Sequence, residues 1–292
     1  MTAIDSVKRL LLISNSTLYG SGYLDHAERE IRDFLGNTAR VIFVPFAVHD
    51  LRVYAAKAQE RFRDMGFVLT SIHDVSNKAR AIDEADVVFV GGGNTFRLLK
   101  GLYDYELLGP IRRKVAAGMP YIGSSAGSIV ACPTLKTTKD MPVVQPPCFE
   151  ALGLVSFQIS PHYLDSDPSS THMGETQEER IMQFLEENAE PVVGLREGSI
   201  LRVQDGVVTL KGATTARIFK RPPVGSEHTH ELRRNPGADA ARDSKPTDHR
   251  RMHRDSGTCI PLVWRGQSGC ASSVEYAHTR WRISRKARVV GT

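Results

Sequence analysis

From residue 9 to about residue 220 the chain alternates short aliphatic or β-branched runs with longer stretches whose apolar residues recur every three or four positions. That rhythm predicts βαβ units: an α/β fold with a largely parallel sheet flanked by helices. Strands are expected over residues 9–14, 40–45, 67–72, 86–90, 120–123, 154–160 and 192–195. Helical spacing of apolar residues predicts helices over 24–35, 51–65, 78–85, 107–117 and 176–188. A C-terminal β-hairpin, 199–204 with 207–211, is expected because Asp205-Gly206 suits a tight turn with positive φ, and a last strand runs to Lys220. No internal repeat is evident.

Near Pro222 the pattern stops. Residues 230–292 are rich in Arg, Asp, Ser and Gly, hold one short apolar run (259–264), and keep no period of 2 or 3.6. The organisation expected is therefore a catalytic-type α/β domain over 1–229 and a disordered extension over 230–292. The net charge of +5 belongs to that extension, which has thirteen Lys/Arg against six Asp/Glu; the first 229 residues hold 25 basic and 27 acidic residues. Overall basicity is thus no sign of nucleic-acid binding by the domain, and any binding through the tail is expected to be weak and salt-sensitive.

With 41% hydrophobic and 24% charged residues in 292, the composition is that of a globular protein able to bury a core without staples, which excludes a fibrous or wholly disordered chain. Cys132, Cys148, Cys259 and Cys270 form no C-x-x-C pair and are too sparse for a disulfide scaffold. The apolar run Leu10 to Ile13 is too short for a leader or a membrane span. A cytoplasmic protein with no membrane partner is expected.

The most specific chemical signal is Gly123-Ser124-Ser125-Ala126-Gly127, a G-x-S-x-G between an expected strand and an expected helix. In that setting the central serine sits on a sharp turn with its hydroxyl exposed, and crowding of the backbone requires small flanking residues. A Gly-rich turn without chemistry could carry the same pentapeptide; the strand before it and the helix after it favour a nucleophile. Gly91-Gly92-Gly93-Asn94-Thr95 also follows a hydrophobic strand, at the end of the sheet where such folds place ligands. No G-K-[ST] follows and Phe96 breaks a G-x-G-x-x-G, so phosphate binding is disfavoured. Consecutive glycines instead let backbone N–H groups approach an oxyanion; Gly92, Gly93 and Ala126 are the expected donors. Asn94 and Thr95, next in line, are candidates for substrate contact.

A serine nucleophile needs a base. His162 follows the strand of 154–160 through Pro161, which places it at the same end of the sheet, whereas His26, His49 and His73 suit structural or capping roles. His172 and Glu175 lack a third ligand of sensible spacing, so no metal is expected. The acid that orients the imidazole is either Asp140, in the loop Thr137 to Pro142, or Glu197, just beyond the strand of 192–195. Leaving a strand end favours Glu197; spacing alone leaves both open.

These residues resemble peptidase E, the aspartyl dipeptidases, a group of cytosolic serine peptidases with a fold similar to class I glutamine amidotransferases. The likeness covers about residues 8–230 and rests on Leu12-Ile13-Ser14-Asn15-Ser16-Thr17, Val44-Pro45-Phe46-Ala47, Val90 to Phe96, Tyr121-Ile122-Gly123 with Ser125-Ala126-Gly127, Ala131-Cys132-Pro133-Thr134, Asp140-Met141-Pro142, Pro161-His162 and Gly174-Glu175-Thr176. The resemblance implies Ser125 as nucleophile, His162 as base, an acid at Asp140 or Glu197, and hydrolysis of dipeptides with N-terminal aspartate without metal or cofactor. The chain departs from the pattern at Ser124, where an aromatic is frequent, and at Gln177, where bacterial members carry arginine; Arg180 is retained and is the expected partner of the substrate carboxylate. A cyanophycinase-like peptidase on aspartyl polymers, or a non-catalytic scaffold with a nucleic-acid-binding tail, are the alternatives. The unperiodic tail yields a direct expectation: ending the chain at Glu231 leaves melting temperature and activity unchanged, and a fall of more than a few degrees would show that the tail packs on the domain.

Overall fold

A computed structural model describes residues 8–37, 40–171, 173–221, 280–283 and 289–291. The described residues fall in one compact unit, and residues 222–261 lie outside the described residues. The elements run β1 (Arg9–Ile13), a 3-10 turn (Asp25–Ala27) leading into α1 (Glu28–Leu35), β2 (Arg40–Val44), α2 (Leu51–Asp64), β3 (Val68–Ser71), α3 (Lys78–Glu84) and β4 (Val87–Val90). They continue through α4 (Thr95–Asp104), α5 (Leu108–Ala116), β5 (Tyr121–Ser124), α6 (Ala126–Val130), β6 (Gln158–Pro161), α7 (Gln177–Glu187) and β7 (Val192–Leu195). The hairpin β8 (Ser199–Gln204) and β9 (Val207–Gly212) and the strands β10 (Ala216–Phe219), β11 (Arg280–Ile283) and β12 (Val289–Gly291) complete the chain.

Eight strands form one sheet in the order β11-β9-β8-β1-β5-β4-β2-β3, parallel from β1 to β3 and antiparallel only where β8 meets β1 and β9. Alternation of side chains along each strand separates two cores. Leu10 and Leu12 join Val88, Val90 and Tyr121 beneath α3 to α6, while Leu11 and Ile13 join Phe43, Phe89 and Ile122 beneath α1 and α2. This three-layer arrangement is the class I glutamine amidotransferase-like architecture expected. A smaller sheet, β12-β10-β7-β6, packs its own cluster of Tyr163, Val192 and Phe219 against Ile181 and Leu185 of α7.

Three elements differ from expectation. The helix expected from Leu24 begins later because Leu24 is left-handed (φ 59), so only a 3-10 turn precedes α1. Of the stretch 154–160 only its end is strand: Leu154 is buried, but its N–H bonds Ala131 O, outside any ladder. Helix α4 was not among the helices expected, although its start is marked by Asn94, whose side chain accepts from Arg97 N, and by buried Leu98, Leu99 and Leu102. The extension expected over 230–292 lies mostly outside the described residues; the seven described within it depart from the disorder expected there, β11 running parallel beside β9 and β12 beside β10. Among the described residues no helix is long and apolar enough to cross a membrane.

The sheet needs two glycines to bring α6 onto it. A Cβ on Gly127 would stand 2.1 Å from Val90 O, and one on Gly123 2.5 Å from Gly127 O. Gly153, by contrast, has a left-handed φ of +59 but nothing within 4 Å of a built Cβ. Gly127→Ala is therefore expected to cost about 3 kcal/mol or more and to lower the melting temperature on the order of 10 °C, or to yield no soluble protein. Gly153→Ala should cost only about 1 to 2 kcal/mol, the backbone penalty alone. Equal melting temperatures for the two variants would contradict this account of the α6 contact.

Candidate active site

The crevice lies beyond the carboxyl ends of the parallel strands. Ser125 leaves β5 with a positive φ outside the ordinary regions (φ 51, ψ −109), with its N–H bonded to Ile13 O at 2.9 Å and its carbonyl accepting from Ser128 and Ile129. Such a backbone costs about 1 to 3 kcal/mol and persists only where its surroundings over-determine it. Here the β1 carbonyl on one side and the glycine-enabled contact of α6 on the other supply that constraint. Helix α6 spans only five residues, so it offers unbonded first-turn N–H groups rather than a long macrodipole.

His162 leaves β6 with a positive φ too (φ 52). Its N–H bonds the buried Ser14 Oγ at 3.0 Å, and Ser14 in turn donates to Leu195 O at 2.7 Å. One hydroxyl thus ties the end of β1 in the large sheet to the ends of β6 and β7 in the small one. The imidazole Nε2 stands 2.9 Å from Ser125 Oγ, and Nδ1 stands 2.7 Å from Glu197 Oε1. A carboxylate only accepts, so Nδ1 carries the proton and Nε2 presents its lone pair to the serine hydroxyl.

Glu197 follows β7 on a turn fixed by Gly198 N donating to Asn15 Oδ1 (2.8 Å) and by Thr214 Oγ1 donating to Glu197 O (2.5 Å). The His162 and Glu197 side chains are 40% and 47% exposed, so the pair is solvent-screened and its contribution is orientation more than field.

Asp140 stands elsewhere. Its Oδ2 accepts from Thr95 N (2.7 Å), Thr95 Oγ1 (2.6 Å) and Thr138 Oγ1 (3.1 Å), holding the first turn of α4 against the loop after α6. Of the two acids between which the spacing could not choose, the structure brings Glu197 to the histidine. Thr95 is occupied by that contact, and Asn94 caps α4 while its Nδ2 donates to Met141 O. Neither of these expected substrate contacts has its side chain free in this structure.

The glycine loop lies directly against Ser125: a Cβ on Gly92 would meet Ser124 O at 3.0 Å and Ser125 Cβ at 3.1 Å. The Gly92 N–H, however, donates to Tyr54 Oη at 2.9 Å. Among the described residues the amides of Gly93 and Ala126 have no hydrogen-bond partner, which leaves those two of the three expected donors open to a ligand. Gly93 (φ +132) also lies so close to Ala47 O that a Cβ would stand 2.6 Å from it. Ser124 is 0% exposed within β5, so the departure from an aromatic alters packing behind the nucleophile rather than open surface. Arg180 pairs with Glu175 at 3.5 Å on the outer part of α7. Gln177 accepts from Leu164 N and donates to His162 O at 3.2 Å, so it supports the histidine segment. Among the described residues no group of three His, Cys, Asp or Glu is placed to hold a metal ion.

Sequence reasoning passed over Ser14, Tyr54 and Lys139. Only Ser14, at a strand end beside the crevice, carried a local signal; the other two reach the site from a helix and a loop.

Fold and site together define an α/β protein of the class I glutamine amidotransferase-like type that carries serine, histidine and glutamate in one hydrogen-bonded series. The chain belongs to peptidase family S51, whose sequence model matches residues 10–211. A peptidase E of Streptomyces coelicolor is 52% identical over 212 residues, covering 73% of this chain and 87% of that protein. A Drosophila melanogaster protein named "Probable alpha-aspartyl dipeptidase" is 46% identical over 218 residues, covering 74% and 91%. A crystal structure from Listeria monocytogenes EGD-e superimposes with a TM-score of 0.55 at 24% identity, covering 70% of this chain and 98% of that one, and shares the fold.

The two acids are separable by kinetics. Glu197→Gln should lower kcat on the order of 10⁴-fold if it orients the base as the triad aspartate does, with the melting temperature unchanged. Asp140→Asn should mainly lower the melting temperature or raise KM, because it loosens α4. Loss of kcat at unchanged stability in the Asp140 variant alone would reverse the assignment.

Proposed function

We propose that this protein is a metal-independent serine dipeptidase that cleaves dipeptides with an N-terminal aspartate through an ester on Ser125. The observation that carries the reading is the series Ser125 Oγ, His162 Nε2 and Nδ1, Glu197 Oε1, with both contacts under 3 Å: 2.9 and 2.7 Å. In the first half-reaction His162 Nε2 takes the hydroxyl proton as Ser125 Oγ bonds to the carbonyl carbon. The negative oxygen is received by the N–H groups of Gly93 and Ala126. Losing one such donor costs about 2.7 to 4 kcal/mol of transition-state stabilisation. The imidazolium, held by Glu197, then protonates the departing amine as the C–N bond breaks. Water, deprotonated by the same Nε2, attacks the ester and releases the aspartyl residue, returning the proton to Ser125.

The name of the Drosophila relative supports aspartate as the N-terminal residue, and the exposed Arg180 guanidinium supplies charge of the matching sign. A neutral isostere forgoes the charge-assisted contact that a carboxylate makes with such a cation. The sparse thiols fit a reducing, cytoplasmic setting. No role for nucleic acid follows from the domain, whose charge is slightly acidic.

Ser125→Ala and His162→Ala are each expected to abolish hydrolysis of Asp-Leu without a change in melting temperature, since both side chains face the crevice. The wild-type chain should cleave Asp-Leu much faster than Asn-Leu or Ala-Leu. Retention of more than a tenth of wild-type kcat/KM by the serine variant would overturn the mechanism, and equal rates on the three substrates would overturn the specificity.

A further inference from the structure

We propose that Lys139 is a positioning residue for the reaction: its ammonium clamps the left-handed backbone of His162 from behind and must be protonated to do so. The inference rests on the serine peptidase reading above. Lys139 Nζ donates to Pro161 O (2.9 Å), His162 O (3.2 Å) and Gln177 Oε1 (3.1 Å). Gln177 Nε2 donates to the same His162 O at 3.2 Å. The side chain as a whole is solvent-accessible, yet its ammonium end is turned in among these oxygens.

With Ser14 on its N–H, Lys139 and Gln177 on its carbonyl, and Ser125 and Glu197 on its ring, every polar atom of His162 is bound. That completeness is what a strained conformation needs in order to persist. An ammonium has three N–H donors for three acceptors. A neutral amine has two and a lone pair, which would face a carbonyl oxygen and push it away.

Because all three donors are taken by the protein, Lys139 offers no N–H to a substrate carboxylate in this arrangement. It therefore acts through His162.

The loss of water around the ammonium lowers the Lys139 pKa from 10.5 to about 8, opposed by Asp140 and Glu197 and reinforced by Arg180. These three and His162 are the charged or titratable groups facing it. The sign for stability is opposite to that for activity. Between about pH 8 and 10.5 the unfolded chain holds the proton and the folded chain has released it, so folding is favoured as pH rises, while the clamp on His162 is lost.

The test measures phosphonylation of Ser125 by an alkyl fluorophosphonate. The Oγ–P bond forms, P–F breaks, fluoride leaves and the hydroxyl proton passes to His162. This probe has no amine or carboxylate, so it reports the serine and histidine without substrate recognition. Wild-type labelling should slow as pH rises above about 8 while the melting temperature does not fall.

K139M should label about tenfold or more slowly at pH 7.5, and should lower kcat for Asp-Leu with KM changed less than threefold. K139R, whose charge persists at all these pH values, should keep the neutral-pH labelling rate within about threefold and shed the alkaline limb. Should the methionine variant fail to fold, the arginine variant decides alone, because an unchanged alkaline limb overturns the proposal. Wild-type labelling of K139M with a raised KM for Asp-Leu would also overturn it, by making Lys139 a substrate contact. Absence of labelling in the wild-type chain would overturn the peptidase reading itself.

Discussion

The close contact of α6 with the β4 and β5 strand ends is the constraint on which the site depends. Gly127 sits where any Cβ would stand 2.1 Å from Val90 O, and Gly123 where one would stand 2.5 Å from Gly127 O. Bringing the helix that near shortens the path from strand to helix to a single residue, and that residue, Ser125, takes up the reversal with a positive φ. A half-buried hydroxyl just past the end of a buried strand follows from this crowding. The remaining parts of the site are arranged around its position.

Two sheets must be held in register for the histidine to reach the serine, since Ser125 comes from the large sheet and His162 and Glu197 from the small one. The buried Ser14 hydroxyl makes that link with two hydrogen bonds, one to Leu195 O and one from His162 N. Ser128 Oγ bonds Ile13 O at 2.8 Å and Gly123 O at 2.9 Å, fastening α6 to the same strand ends. Small hydroxyl side chains suit this work: they satisfy buried carbonyls where a larger group would separate the strands. Tyr54 plays a similar part for the glycine loop. Its hydroxyl accepts from Gly92 N and takes that amide out of the set facing the crevice, and burial raises its pKa, which keeps the phenol protonated.

Asp140 shows how one carboxylate can look catalytic in sequence and stand apart from the histidine in space. Its place in the loop after the nucleophile is compatible with either role. What decides is Thr95, whose N–H and hydroxyl both reach the same carboxylate oxygen and hold it at the start of α4. A carboxylate at a helix N-terminus satisfies donors that have no partner within the helix, and this one is held there by three contacts.

By itself the sequence determined the strand and helix alternation and pointed to Ser125 and His162, because these depend on local rules: periodicity of apolar residues, glycines required by a tight turn, a histidine one residue past a strand. It also pointed to Glu197 by the same strand-end argument. The tertiary structure alone brought Glu197 rather than Asp140 to the histidine, bonded the Gly92 amide to Tyr54, and engaged Asn94 and Thr95 as a cap and a tether. It also placed Lys139 and Gln177 behind His162. Apart from the Asn94 cap, a bond to Arg97 N three residues on, those outcomes rest on hydrogen bonds between residues 15 to 47 positions apart, a distance over which no local pattern carries information and only the packing of strand ends into one crevice brings donor to acceptor.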